Sequence, residues 1–218
     1  MKKLQEVLTY IKNLLQERNV EQSLLSVEES NTQELTYENG ECSLLRTLFG
    51  QSVGIHVIKD QKNGKSQIND FSEAALKNAV ETALSSAEAG DADSAYVFAK
   101  NEDNLSVCDG VLEPDMEKLL ARVKELAQTI DKDYPKVQLI QLIATHKHIH
   151  RLVYNSNGGD ADIHQGYYGI SLEFAGNDDG QTAGLAGHFV AFESLDTPLI
   201  ELDGVRTCLQ SAVDELHL

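Results

Sequence analysis

Short β-type runs separated by turn-forming residues fill the segment between residues 21 and 59, and this pattern constrains the fold most. The runs SLLSVEES, QELTYE, ECSLLRTLFG and VGIHVIKD each end at such residues, in order Asn31, Asn39-Gly40, Gly50 and QKNGK, which contains Asn63-Gly64. Asn-Gly between two β-type runs favours the type I′ turn of an antiparallel hairpin. We therefore predict an antiparallel meander of about four strands.

Apolar residues at helical spacing flank this β-rich region. The opening stripe predicts an amphipathic helix whose apolar positions are Leu4, Val7, Leu8, Ile11, Leu14 and Leu15. A second helix begins at an N-cap of Asp70 or Ser72 and ends at Gly90, and a third lies between Pro114 and Pro135. β-type runs resume after Pro135, and the last residues predict a final helix.

The order helix–meander–helix therefore occurs twice. We predict an α+β fold of antiparallel sheets with helices packed on one face, arranged as two consecutive lobes over residues 1–110 and 111–218.

Charge and cysteine content exclude several classes of function. The 218 residues carry 18 basic and 35 acidic side chains, a net charge of −17, which repels nucleic-acid phosphates and anionic membranes. No apolar run approaches the ~18 residues that span a bilayer. Cys42, Cys108 and Cys208 are far apart, which suits a reducing compartment. We predict a cytoplasmic protein that contacts neither nucleic acid nor membrane directly.

The stretch THKHIHR places three histidines at alternate positions, residues 146, 148 and 150. Alternate side chains of a strand share a face, so two of them could bind one metal ion, but a zinc site needs three or four ligands. The nearest additional candidates along the chain are Asp160, Asp162 and His164. We interpret the stretch as an exposed hairpin connection, with a metal site at His146, His148 and His150 as the alternative.

Two blocks of the chain resemble the TldD/PmbA family, metallopeptidase-related proteins once called modulators of DNA gyrase. QSVGIHVIKD followed by DFSEAALKNAVETALSSAEA resembles the strand and helix of the first block, and the NS.G element of the second block matches Asn155-Ser156-x-Gly158. The resemblance covers the N-terminal region of the family. It departs at His56, where the family commonly has arginine, and at GKSQIND, which replaces a GfA-like strand.

The resemblance implies a dimer, of identical or related subunits, in which zinc bound by an HExxxH helix cleaves extended peptides. None of the seven histidines here begins HExxxH, so we expect this chain to be non-catalytic alone, with zinc held elsewhere in the full-length protein or in its partner subunit. The family is typically about twice this length, and we expect a fragment or a naturally short relative. Its expected role is to assemble the dimer and bind an extended peptide during peptide maturation or proteolysis, with Asn155, Ser156 and Gly158 contacting the peptide or partner. A stand-alone scaffold module and a small histidine-based metal-binding protein are the alternatives.

Overall fold

The structure is a computed structural model that describes residues 4–100, 103–178 and 181–217. Within these residues four α-helices form: α1 (Leu4–Glu17), α2 (Glu73–Glu88), α3 (Met116–Asp133) and α4 (Val205–Asp214). The seven strands are β1 (Gln22–Glu38), β2 (Glu41–Lys59), β3 (Lys62–Ile68), β4 (Leu105–Gly110), β5 (Val137–Asn155), β6 (Ala161–Asp178) and β7 (Gln181–Phe192). Short 3-10 helices cover Leu199–Glu201 and Glu215–His217.

The strands pair in the order β3-β2-β1-β5-β6-β4, and β7 also pairs with β6. The register is antiparallel for β2 with β3 and for β6 with β7. The predicted α+β class is confirmed, and the predicted order helix, meander, helix occurs twice, with three strands in each meander and β4 between the two sets.

Two compact units divide the chain, and each is assembled from separate segments. The first unit comprises Met1–Asn31, Phe49–Asp109 and Ile149–Gln165, and the second comprises Thr32–Leu48, Gly110–His148 and Gly166–Leu218. The chain therefore passes from one unit to the other at Asp109–Gly110 and also at several other positions. The proposed division into sequence domains at 1–110 and 111–218 stays a prediction.

The core of the first unit lies between its two helices and the inner faces of its strands. All six predicted apolar positions of α1 are buried there. Ser72 is one of the two residues predicted as the N-cap of α2. It caps this helix by accepting a hydrogen bond from the backbone N–H of Ala75. The apolar face of α2 is rich in alanine and lies close to β3, where a Cβ added to Gly64 would be only 2.0 Å from the Ala83 carbonyl oxygen.

The core of the second unit contains α3 and α4. Asp115 caps α3 by accepting from the backbone N–H of Lys118, directly after the predicted Pro114 boundary. The buried side chains that α3 contributes are Leu119, Val123, Leu126, Ala127 and Ile130. The four larger ones pack with buried residues of β5 and β6 that include Leu142, Ile170, Leu172 and Phe174.

The turn between β1 and β2 is confirmed at Asn39-Gly40, where both residues have positive φ angles of 53° and 84°. The assignment of a turn to Asn63-Gly64 is wrong, because this pair lies inside β3 and is paired with Ile58 and Val57. The hairpin instead turns at Asp60 and Gln61, whose φ angles are 52° and 59°. Glycine is needed at position 64 for the close approach of α2 rather than for a turn.

The predicted strand breaks at Asn31 and Gly50 are also wrong, so the meander has three long strands instead of about four. β1 continues through Asn31 and β2 continues through Gly50. A Cβ at position 50 would lie 2.6 Å from the Ser30 hydroxyl oxygen. Glycine therefore permits a close side-chain approach within the sheet at this position.

No helix in the described ranges combines the length and the apolar character that crossing a membrane requires.

Candidate functional site

The Asn155–Gly159 turn connects β5 to β6 and contains the three site residues proposed from the sequence. The Asn155 side-chain oxygen accepts a hydrogen bond from the Asn157 backbone N–H at 3.0 Å. The Gly158 N–H donates to the Asn155 carbonyl at 2.9 Å. Gly158 and Gly159 have φ angles of 94° and 82°, which explains the glycines in the turn.

Side chains of this turn also attach it to other parts of the first unit. The Ser156 hydroxyl accepts from the Ser23 N–H at 2.9 Å, and the Asn155 amide donates to the Ala99 carbonyl at 2.9 Å. The Asn157 amide, which the NS.G pattern leaves unspecified, donates to the Phe98 carbonyl at 2.7 Å. These bonds give the motif a structural role, and a contact of Asn155, Ser156 or Gly158 with a peptide or partner stays a prediction.

The interpretation of THKHIHR as a hairpin connection is wrong, because the stretch lies in the middle of β5. His146 shares a face with Leu142 and Ala144, and its side chain is almost completely buried, with 2% exposed. Its Nε2 donates to the Val111 carbonyl at 2.6 Å, and its ring contacts the ring of Tyr168 edge-on at 5.2 Å. A polar residue is tolerated in this strand because the buried imidazole has a hydrogen-bond partner.

Only one of the three alternating histidines belongs to a cluster of potential metal ligands. His150 Nε2 lies 2.8 Å from Asp162 Oδ1, and His164 Nε2 lies 3.7 Å from the same oxygen. One ligand atom from each of the three residues lies within 4.8 Å of the other two. Among the described residues, this is the group of three potential metal ligands that lie so close together. The metal alternative at His146, His148 and His150 thus gains no geometric support as a set, whereas two of the additional candidates join His150.

A groove of about 490 Å³ lies on the face of the first unit's strands opposite the helices. Its polar lining includes Ser26, His56, Lys65 and Gln67. His56 Nε2 lies 2.7 Å from Asn63 Oδ1. Burial lowers the pKa of His56, while the hydrogen bond to Asn63 opposes that shift and Lys65 adds to it, so the imidazole is neutral at pH 7.

The first half of β2 exposes leucines on both of its faces. Leu44 and Leu48 are each 43% exposed, and Leu45, which points to the opposite face, is 68% exposed. β3 pairs with β2 only from Val53 to Lys59, and no further strand of the described residues lies on that side. We call Leu44, Leu45 and Leu48 the β2 apolar surface.

The fold defines a class of proteins: its long antiparallel strands and covering helices occur in three solved structures described as TldE or as proposed modulators of DNA gyrase. TldE from Thermococcus kodakarensis is 19% identical, with a TM-score of 0.63 over 95% of this chain and 47% of that one. The Thermotoga maritima protein is 16% identical, with a TM-score of 0.62, and the match covers 99% of this chain and 48% of that one. The Bacteroides thetaiotaomicron protein is 12% identical, with a TM-score of 0.68, and the match covers 96% of this chain and 49% of that one.

Residues 25–87 match the family model described as PmbA/TldA metallopeptidase domain 1. This match confirms the resemblance to the N-terminal region of the TldD/PmbA family that the sequence predicts. It spans about half the length of the solved structures that it matches. No curated protein sequence matches it.

The zinc chemistry implied by a metallopeptidase family does not fit the residues of this chain. An HExxxH helix directs two histidines to one metal ion and supplies a glutamate as base for the bound water. The sequence has no HExxxH, and the histidines of the ligand cluster lie on strands β5 and β6 instead. We derive no peptidase step from these residues.

Proposed function

We propose that this chain is the non-catalytic N-terminal domain of a TldD/PmbA-type zinc metallopeptidase that acts in peptide maturation or proteolysis. It assembles with a second subunit, identical or related, and helps to bind an extended peptide. The match of residues 25–87 to the first metallopeptidase domain supports the assignment. The proposal places the protein in the cytoplasm, and zinc and the catalytic residues in the full-length protein or in the partner subunit.

The β2 apolar surface is the observation that carries the assembly role. A strand with apolar side chains on both faces is typical of the interior of a sheet that is covered on both sides. In this chain the three leucines are exposed instead, and covering them with a subunit of the same family would remove that surface from water.

The peptide role rests on the unpaired edge of β2 and on the groove of the first unit. An extended peptide can add to a sheet edge through backbone hydrogen bonds, with pockets accepting alternate side chains. The groove offers hydroxyl, amide and ammonium groups from Ser26, Gln67 and Lys65 beside apolar Leu24 and Val153. Asn155, Ser156 and Gly158 are proposed as further peptide or partner contacts.

A matched pair of leucine substitutions tests the assembly role. The purified chain is mixed with the related subunit encoded in the same genome, and self-association and hetero-association are measured by analytical ultracentrifugation. Leu45→Lys should weaken association by about tenfold or more, on the order of 1.4 kcal/mol. Leu185→Lys on β7 is the control, because Leu185 is 69% exposed and therefore equally accessible.

Alkylation of cysteine gives an independent measure of coverage. Cys42 lies on β2 two residues from Leu44, and both Cys42 and Cys108 are exposed. Assembly should slow the alkylation of Cys42 and leave that of Cys108 unchanged. A chain that forms no dimer with itself or with the related subunit, and whose Cys42 stays reactive, would refute the assembly role and favour a stand-alone module.

A further inference from the structure

The cluster of His150, Asp162 and His164 has the spacing of ligands that share one metal ion. The Nε2 atoms of both histidines lie near the same carboxylate oxygen, Asp162 Oδ1, at 2.8 Å and 3.7 Å. Zinc holds nitrogen and oxygen ligands at about 2.0–2.2 Å in a tetrahedron, which places two ligand atoms about 3.3 Å apart. The two observed separations lie on either side of that value.

The two imidazole rings are adjacent, and a rotation of the rings would direct both nitrogens to one ion, because an imidazole binds a metal in its own ring plane. They stack with centroids 3.9 Å apart and an angle of 14° between their planes. β5 and β6 supply one histidine each, so both backbone positions belong to strands of the sheet. The three side chains are between 31% and 53% exposed, so ions from solvent can reach them.

A buried carboxylate oxygen without a partner is the second observation. Glu29 Oε1 is buried and finds no hydrogen-bond partner among the described residues. Ser23 hydrogen-bonds to Ser156 through the backbone, and Glu28 pairs with Arg151, so β1 and β5 run antiparallel. One residue beyond the Glu28–Arg151 pair, Glu29 lies opposite His150.

The face of each strand supports this placement. Leu25 and Val27 of β1 and Leu152 of β5 are buried in the core of the first unit. Side chains alternate along a strand, so Glu29 and His150 share the face of those core residues. Opposite residues of antiparallel strands have Cβ atoms about 4.5–5.5 Å apart. Glu29 is not one of the three residues whose ligand atoms lie within 4.8 Å of one another, so its carboxylate would rotate toward the cluster to bind the same ion.

We propose that His150, Asp162 and His164 bind a divalent transition-metal ion, with Glu29 as the fourth ligand. Imidazole nitrogens select zinc, nickel, copper or iron over magnesium and calcium, and carboxylates complete such a site. Zinc is the ion to which we assign the site. The site joins β1, β5 and β6 of the first unit, and it differs from the HExxxH zinc of the family in its residues and secondary structure.

The surroundings of the cluster permit entry of a cation. Asp162 lines a cavity of about 190 Å³ together with Asp160, Asn104 and Lys12. The Lys12 ammonium lies 3.8 Å above the ring of Tyr154, where the aromatic face stabilises its charge. The net charge of −17 attracts cations to the protein.

Zinc titration of the chelator-treated, untagged chain tests this proposal. Isothermal titration calorimetry and elemental analysis after dialysis should show about one tightly bound zinc per chain, as a single site requires. His164→Gln and Asp162→Asn should each weaken zinc binding by more than the ~10–100-fold that loss of an outer-shell partner costs. Glu29→Gln should weaken it by about tenfold at least. Each substitution keeps the side-chain size close to the original, and circular dichroism verifies the fold.

His148→Gln is the matched control, because His148 lies on the same strand two residues from His150 but outside the cluster. Retained affinity in this variant supports the proposed ligand set. The proposal is overturned if no saturable zinc binding occurs, if His148→Gln loses as much affinity as His164→Gln, or if magnesium binds as tightly as zinc. Unchanged binding in Glu29→Gln would overturn the assignment of the fourth ligand. None of these outcomes depends on subunit assembly.

Discussion

The two halves of β2 differ in nearly every physical respect although they belong to one strand. Residues 53–59 pair with β3, and Val53, Ile55, Val57 and Ile58 are buried. Residues 41–50 are exposed throughout, although they include leucines, a residue type that is usually buried in a core. The comparison shows that apolar composition alone does not determine burial within this chain. The second half contributes to the core of the first unit, whereas the first half leaves its leucines exposed.

The largest contrast should appear when one large apolar side chain is truncated in each half. Ile55 is 2% exposed in the core of the first unit, so Ile55→Ala should cost about 2–5 kcal/mol of unfolding free energy. Leu45→Ala removes an exposed side chain and should change that free energy by less than about 0.5 kcal/mol. Urea unfolding followed by circular dichroism measures both. Equal losses would contradict the assigned difference between the halves.

A glycine substitution sharpens the comparison at the β3 side of the paired half. Gly64 pairs with Val57, and an added Cβ would lie 2.0 Å from the Ala83 carbonyl oxygen. Gly64→Ala should therefore destabilise the chain by about 1–3 kcal/mol through displacement of α2. Gly184→Ala on β7 is the control, since a Cβ there meets nothing within 4 Å. Thermal unfolding of the two variants should separate them, and similar melting temperatures would refute the close packing.

The smallest expected effect concerns His56, which also lies in the paired half of β2. Because its pKa is lowered in the folded chain, the unfolded chain takes up a proton first as pH falls below the usual ~6.5. The neutral imidazole therefore contributes stability above that pH, and this contribution is lost as pH falls toward the lowered pKa. Melting temperatures of His56→Gln between pH 7.5 and pH 5, a range chosen around ~6.5, should fall less than those of the unsubstituted chain.

A second variant should enlarge this pH effect instead of reducing it. Asn63→Ala removes the hydrogen bond that opposes the shift of the His56 pKa. The fall in melting temperature with decreasing pH should then be larger than in the unsubstituted chain. A pH dependence that neither substitution alters would assign acid sensitivity to other groups.

The helices could be predicted closely from the sequence because their signals are local. The stripe from Leu4 to Leu15 and the caps near Ser72 and Pro114 depend on residues within one or two turns of each other. The hairpin at Asn39-Gly40 could be predicted for the same reason, since two adjacent residues determine its positive φ angles.

Strand length and the ligand cluster could not be predicted because they depend on residues distant in the sequence. Gly50 and Gly64 indicate turns by local rules, but they are required by Ser30 and by α2 respectively. β5 contains 19 residues, far more than the usual 5–6, so the polar stretch THKHIHR falls inside it. The sequence predicts the alternation of its histidines, but whether His150 meets His164 or His148 as a co-ligand depends on the register of a neighbouring strand.

The length of β5 has a consequence for insertions and deletions during evolution. Leu142 and Ala144 are buried in one core and Leu152 in the other, and all three occupy even-numbered positions of the same strand. Loss of a single codon between them would turn one set of side chains toward solvent. Loss of two codons would preserve the faces, so length changes inside this strand should be tolerated only in pairs of residues.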